Sequence, residues 1–235
     1  MSLSEFLMNS IYSATEGEGI HLGIPQVFVR FQGCAIGCLN CDSKDTWDFE
    51  GAKWTFEQVL TAIEDAGGEN FKRVSITGGD PLHPSHVPNV TKLVKELKSR
   101  GYYINIEAAG TRVVKEIFDD IDFISFDFKT PSTGVKTRLS LISNLNQDYP
   151  NKFQVKAVIE TKEDFKAALD AYNIILSTND SLNFQWCLTP SYNLNEEFPL
   201  ERFRNVIKWN EENGALFRVI GQQHKWLFGP DEKQV

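Results

Sequence analysis

Cysteine is scarce in this chain of 235 residues, which carries four. A small secreted scaffold stapled by disulfides would be shorter and far richer in them, so the thiols are expected to be reduced and the compartment cytoplasmic. Long apolar runs are missing as well, and the first residues, M-S-L-S-E-F-L-M-N-S, carry no basic leader. Neither an export signal nor a membrane association is expected. Positive charge is in deficit, with 24 Lys and Arg against 32 Asp and Glu, a formal charge of -8. That balance argues against direct binding of nucleic acid, while a local positive pocket for one anionic metabolite stays compatible with it. Low-complexity tracts are absent and 41% of the residues are hydrophobic, which suits a single folded domain over residues 1–235.

What the chain does have is a regular change of period. Val27–Arg30, Val74–Thr77, Ile104–Glu107, Phe123–Phe128, Phe153–Val158, Leu182–Trp186 and Phe217–Ile220 read as strands. Helical spacing separates several of them. Thr55 and Gln58 open a capped helix that Gly67 and Gly68 stop, Val90 to Leu97 form a second stripe ended by Gly101, Thr161 begins a third, and Leu200 to Trp209 make a fourth. The alternation predicts an α/β fold, an incomplete (β/α) barrel of about six parallel core strands, with an open doubly wound sheet as the second choice. Either architecture gathers functional groups beyond the carboxyl ends of the strands.

Three of the four cysteines, Cys34, Cys38 and Cys41, lie together in F-Q-G-C-A-I-G-C-L-N-C-D, directly after the first predicted strand. Three thiolates hold all but one corner of an iron–sulfur cube and leave one iron open to bind something else. Gly33 and Gly37 suit a loop that wraps closely around such a group. Spacing alone also fits a structural zinc, with Cys187 or His21 as the fourth ligand. The simplest reading of Cys187 itself is a buried thiol.

C-x-x-x-C-x-x-C after one strand, followed by Gly78-Gly79-Asp80 after the next, resembles the radical S-adenosylmethionine superfamily. The resemblance implies a [4Fe-4S] cluster whose open iron chelates S-adenosyl-L-methionine, which is split to give a hydrogen-abstracting radical. Thr77 to Pro81 is similar to that superfamily's glycine-glycine-glutamate element beside the cofactor's amino group, with Asp80 one methylene shorter than the usual acid. By the same resemblance Gly78, Gly79, Asp80, Glu107, Ser125 and Lys129 are expected at the cofactor.

A narrower likeness runs from Y-S-A-T-E-G-E-G to F-R-V-I-G-Q-Q-H-K-W, residues 12 to 226. These blocks, with C-D-S, E-A-A-G-T and F-D-F-K-T-P-S-T-G between them, resemble the 7-carboxy-7-deazaguanine synthase family. Departures are visible: Glu16 stands where that family usually has glutamine, Ser43 where it has threonine, and Ala108-Ala109 where it has threonine-asparagine. The resemblance implies the substrate 6-carboxy-5,6,7,8-tetrahydropterin, bound by Glu18, Arg30, Thr77 and His224, and a Mg2+ ion held in part by Ser43. It also implies a reducing electron donor such as flavodoxin or ferredoxin, and a homodimer. The readings it competes with are another radical S-adenosylmethionine enzyme, such as a glycyl-radical activase, and a non-enzymatic iron–sulfur redox module.

Overall fold

The computed structural model describes residues 5–235. One mixed sheet of nine strands runs through it in the order β3-β1-β2-β4-β5-β6-β7-β8-β9, and its two ends do not pair, so the barrel stays open. The parallel series is β2 (Pro25–Phe31), β4 (Arg73–Gly78), β5 (Tyr103–Ala108), β6 (Phe123–Asp127), β7 (Phe153–Ile159), β8 (Gln185–Pro190) and the two-residue β9 (Arg218–Val219). β1 (Phe6–Thr15) and β3 (Ala52–Trp54) extend the sheet antiparallel beside β2. This antiparallel edge is the main departure from the all-parallel expectation. Its signal was present as the alternation of buried Phe6, Met8 and Ser10 with less buried neighbours.

Helices α1 (Phe56–Ile63), α2 (Glu69–Phe71), α3 (Val87–Ser99), α4 (Lys115–Phe118), α5 (Leu139–Asp148), α6 (Lys162–Ser177), α7 (Leu200–Glu212) and α8 (Gln223–Phe228) accompany the strands. Two of them start as the sequence predicts. Thr55 and Gln58 exchange side-chain and backbone hydrogen bonds in a capping box, and Thr161 does the same with Asp164. None of the helices among the described residues is long and apolar enough to cross a membrane.

The two faces of the sheet carry different chemistry. Val74, Ile76, Ile104, Ile106, Ile124, Phe126, Val155 and Ala157 are fully buried and join Val90, Leu93, Leu97 and Phe165 of the helices in the core. Alternate residues on the inner face are polar and stack in layers. In the lower layer Asn105 Nδ2 donates to Ser75 Oγ at 2.8 Å, Ser125 Oγ to Asn105 Oδ1 at 3.4 Å, and Gln154 Nε2 to Ser125 Oγ at 2.8 Å. One step toward the carboxyl ends the same faces present Thr77, Glu107, Asp127 and Lys156. Cross-strand pairing fixes this second layer, because Arg30 lies opposite Thr77 and Asp127 opposite Lys156.

One buried carboxylate ties the helical shell to the rim. Asp164 accepts hydrogen bonds from the backbone N–H groups of Glu160, Thr161 and Ser132 and from the Ser132 hydroxyl at 2.6 Å. Ser132 belongs to the turn Pro131–Thr133, and Thr133 O accepts from Leu39 N–H in the cysteine loop at 2.9 Å. Burial alone would raise the Asp164 carboxyl, yet the Ser132 and backbone donors hold it below its ordinary range. Asp164→Ala is expected to cost about 3 kcal/mol by stranding these donors. The difference from wild type should be full above the ordinary aspartate pKa and shrink as pH falls through the lowered value, which urea unfolding across the acid range would measure.

Candidate functional site

The carboxyl ends of the strands surround a cavity of about 780 Å³. Its wall is built from the cysteine loop after β2, the ends of β4, β5 and β6, the middle of β7, the segment after β8, α8 and the last residues of the chain. Of the fourteen residues expected from sequence, twelve line it: Glu18, Arg30, Cys34, Cys38, Cys41, Ser43, Thr77, Gly78, Gly79, Glu107, Lys129 and His224. Asp80 and Ser125 do not.

The cysteine loop is pinned by backbone. Gly33 N–H donates to Thr46 O at 2.8 Å and Cys34 N–H to Trp47 O at 3.0 Å. From the other side Gly79 N–H donates to Phe31 O and Asp80 N–H to Gly33 O, both at 3.0 Å. That close approach explains the two glycines. A Cβ on Gly78, whose φ is +145°, would lie 2.4 Å from Phe31 O, and one on Gly79 would lie 2.4 Å from Gly33 O. The pair therefore locks the loop to the neighbouring strand end.

The three loop thiols are free and half-buried, and all line the cavity. Burial pushes the Cys34 and Cys38 thiols up, with Lys129 opposing this at Cys38. Lys129 Nζ donates to Asp127 Oδ2 at 2.8 Å. Burial works against its charge, but Asp127 and then the thiols of Cys38 and Cys41 more than offset this and raise its pKa. A soft donor set of three thiols beside a fixed cation fits an anionic iron–sulfur cluster. Among the described residues no group of three or more His, Cys, Asp or Glu is arranged to hold a single metal ion. Cys187 is fully buried on β8 and does not line the cavity.

At the far wall the β1–β2 loop folds into the open sheet. Ile20 N–H donates to Gln154 Oε1 at 2.8 Å, and Gly19 packs directly on the Gln154 side chain. This sets Glu18 over Lys156, whose ammonium lies 3.4 Å from Glu18 Oε2 and donates to Glu107 Oε2 at 2.6 Å. Glu18 Oε1 accepts from Gln222 Nε2 at 2.7 Å. Burial opposes its charge, but Lys156, His224 and the Gln222 hydrogen bond prevail and lower its pKa. His224 lies in the first turn of α8 and packs on Gly17, and burial lowers its pKa although Glu18 pulls the other way. Arg30 donates to the Tyr12 hydroxyl at 3.2 Å.

Ser43 donates to Asp42 Oδ1 at 3.1 Å, and Asp42 pairs with the buried Lys225 at 3.1 Å. Burial would raise the Asp42 carboxyl, yet Lys225, Ser43 and Lys233 bring it down to about 2. Asp80 is turned into the protein. Its Oδ1 accepts from Leu82 N–H at 3.1 Å, and its Oδ2 makes no hydrogen bond and lies 3.7 Å from Arg112. Ser125 belongs to the lower polar layer, held by Asn105 and Gln154.

Sequence reasoning passed over Lys156, Gln222 and Lys225. Lys156 had a signal, a lysine inside the apolar run F-Q-V-K-A-V-I. Glu16 was noticed only as a departure. It is buried, accepting from Gln26 Nε2 at 2.8 Å. Burial, then the neighbouring Glu107, pushes its carboxyl up to about 7, against the pull of Lys156 and the Gln26 hydrogen bond. Folding thus favours the protonated acid, and stability is given up as pH rises from about 4.5 to about 7. Glu16→Gln, which imitates the neutral form, should match wild type near the lower limit. Above the upper one it should be more stable by about 3 kcal/mol. Unfolding midpoints at both ends of the range measure it, and a constant difference would contradict a neutral Glu16.

Comparison with known proteins agrees with this geometry. Residues 15–122 match the family model described as a 4Fe-4S single cluster domain. The chain is 34% identical over 228 residues to the 7-carboxy-7-deazaguanine synthase of Thermoplasma acidophilum, covering 95% of this chain and 97% of that one. Against the Bacillus subtilis enzyme of the same name it is 32% identical over 162 residues, and the alignment spans 65% of either protein. Its fold resembles the crystal structure of QueE from Escherichia coli, with a TM-score of 0.68 at 22% identity over 94% of this chain and 95% of that one. The open mixed sheet, the three-cysteine loop and the full-length match together make this chain a member of the 7-carboxy-7-deazaguanine synthase family within the radical S-adenosylmethionine superfamily.

Proposed function

We propose that the chain catalyses the radical-mediated ring contraction of 6-carboxy-5,6,7,8-tetrahydropterin to 7-carboxy-7-deazaguanine, with release of ammonia, as a carbon–nitrogen lyase of 7-deazaguanine and queuosine biosynthesis. The observation that carries this reading is the family match along nearly the whole chain, joined to a cavity whose lining three free thiols share with Glu18 and His224. The match covers two thirds or less of some relatives and nearly all of others, so the activity is argued from the site as well.

Cys34, Cys38 and Cys41 would hold the [4Fe-4S] cluster and, through its open iron, S-adenosyl-L-methionine. When bound, this pair supplies hydrogen-atom abstraction and returns the hydrogen after rearrangement. The protein's part is placement and exclusion of water. Glu18, kept ionised, offers a bidentate acceptor to the N–H groups of the pterin edge, and Arg30 a fork to the substrate carboxylate. Thr77 and His224 close the same compartment from β4 and α8. Gly78 and Gly79 allow close approach beside the cofactor, and Lys129 offers its carboxylate a fixed cation. Asp80 and Ser125 serve through the wall they support. Glu107 orients Lys156. Ser43 contributes one oxygen toward Mg2+, a hard ion that fills its octahedral shell with substrate oxygen and water. A low-potential donor such as flavodoxin or ferredoxin supplies the electron, and the working form is a homodimer.

Anaerobic reconstitution with iron and sulfide, followed by reduction with S-adenosyl-L-methionine, magnesium and the carboxytetrahydropterin, should yield the deazaguanine, with hydrogen from carbon 6 exchanged into recovered cofactor. Cys34→Ala, Cys38→Ala or Cys41→Ala should abolish cofactor cleavage. Glu18→Gln and Arg30→Ala should lower kcat/KM at least about tenfold while the cluster absorbance persists. Cofactor cleavage without any deazaguanine would reassign the substrate, and absence of iron–sulfur absorbance would remove the reading altogether.

A further inference from the structure

We propose that Lys156 reads the substrate, forming with Glu18 a paired donor and acceptor that selects a ring edge on which an oxygen stands beside N–H groups. The inference rests on the substrate class proposed above and assigns a further specificity residue to it. Lys156 stands in the middle of β7, between apolar neighbours, where an uncharged residue would fill the strand without the cost of desolvating an ammonium. Its charge is instead held at one point of the cavity wall. Glu107 on β5 accepts at 2.6 Å and Glu18 on the β1–β2 loop lies at 3.4 Å, so two separate elements fix the ammonium. An ammonium has three donors. Two are directed to these carboxylates, which leaves the third for a ligand in the cavity that the residue lines.

Glu18 is arranged in the complementary way. Gln222 takes one of its oxygens at 2.7 Å, leaving further lone pairs on both oxygens toward the cavity that Glu18 also lines. Carboxylate and ammonium thus stand side by side, presenting acceptor, acceptor, donor along one edge. The 2-amino-4-oxo edge of a pterin presents the matching order of amino N–H, ring N–H and carbonyl oxygen. Exchanging the carbonyl for an amino group would set a donor against the ammonium and, because the ring nitrogen beside it then carries no hydrogen, an acceptor against Glu18. Leaving a buried donor unsatisfied is what gives such sites their discrimination. Glu107, on this account, is a positioning residue that acts through Lys156.

The test is equilibrium binding of two tetrahydropterins that differ only at position 4, oxo or amino, to the reconstituted protein with S-adenosyl-L-methionine. Wild type should prefer the oxo compound about tenfold or more. Lys156→Met should weaken the oxo compound more than the amino compound and cut the preference several-fold, leaving the part that Glu18 sets through the ring N–H, while Lys156→Arg keeps more of it. A residue of merely structural importance would weaken both ligands alike, so equal losses would overturn the proposal. So would a wild type that binds both compounds equally well, a result available even where the methionine variant does not fold. A wild type that binds neither pterin would overturn the substrate class itself, and this assignment with it.

Discussion

The arrangement of the site depends on neutralising charge at the bottom of a sheet-lined cavity. Lys156 joins Glu107 to Glu18, Lys129 pairs with Asp127 within the electrostatic reach of Cys38 and Cys41, and Lys225 joins α8 to Asp42. Each cation reaches across elements or along a strand end, and each anion it meets has a fixed place on the rim. Buried ion pairs recover little or none of their desolvation cost, so they are poor sources of stability. What they provide is position. A chain with a formal charge of -8 can in this way present alternating charge around one pocket, which suits ligands that themselves carry both signs.

Backbone contact supplies the rest of the rigidity. The loop bearing the three thiols has few side-chain hydrogen bonds of its own, but the amides of Gly33, Cys34, Gly79, Asp80 and Leu39 all meet carbonyls across neighbouring segments. Two of those bonds exist only because Gly78 and Gly79 carry no Cβ. Of the three cysteine side chains, Cys34 Sγ accepts one local hydrogen bond, from Ile36 N–H at 3.5 Å, and none is tied up in a disulfide. A loop fixed by its backbone keeps its thiols available for an inorganic ligand, and the polar layers inside the sheet provide the floor beneath it.

Much of this was legible in the sequence because it obeys local rules. Cys34, Cys38 and Cys41 are close in the chain, the helix starts at Thr55 and Thr161 carry their own capping signals, and the parallel strands alternate in period. Cys187 is a buried thiol, as the reading that reserves the open iron for the cofactor expects. Less legible was everything that needs register. Lys156 meets Glu18 across 138 positions and Gln222 meets it across 204, distances at which no periodicity survives. The antiparallel β1 is harder to read because polar Asn9 and Ser10 stand side by side in the middle of it, where the pairing with β2 also slips. Leu182–Trp186 was placed several residues early, since the strand at Gln185–Pro190 ends in Thr189 and Pro190, residues that read as a turn.

The departures from the family pattern also become intelligible once burial is considered. Asp80, shorter by a methylene than glutamate, cannot extend past its own turn and closes on Leu82 N–H instead, with Arg112 beyond it. Glu16 replaces an amide by an acid, yet its surroundings favour the protonated form, which offers one donor and an acceptor much as glutamine does. Ala108 is buried and apolar on the outer face of β5, where the alternation of the strand directs it away from the cavity that Glu107 and Ala109 line. Three changes that look like losses of polar function are thus each absorbed by local geometry: one by a turn, one by a proton, and one by the pleat of a strand.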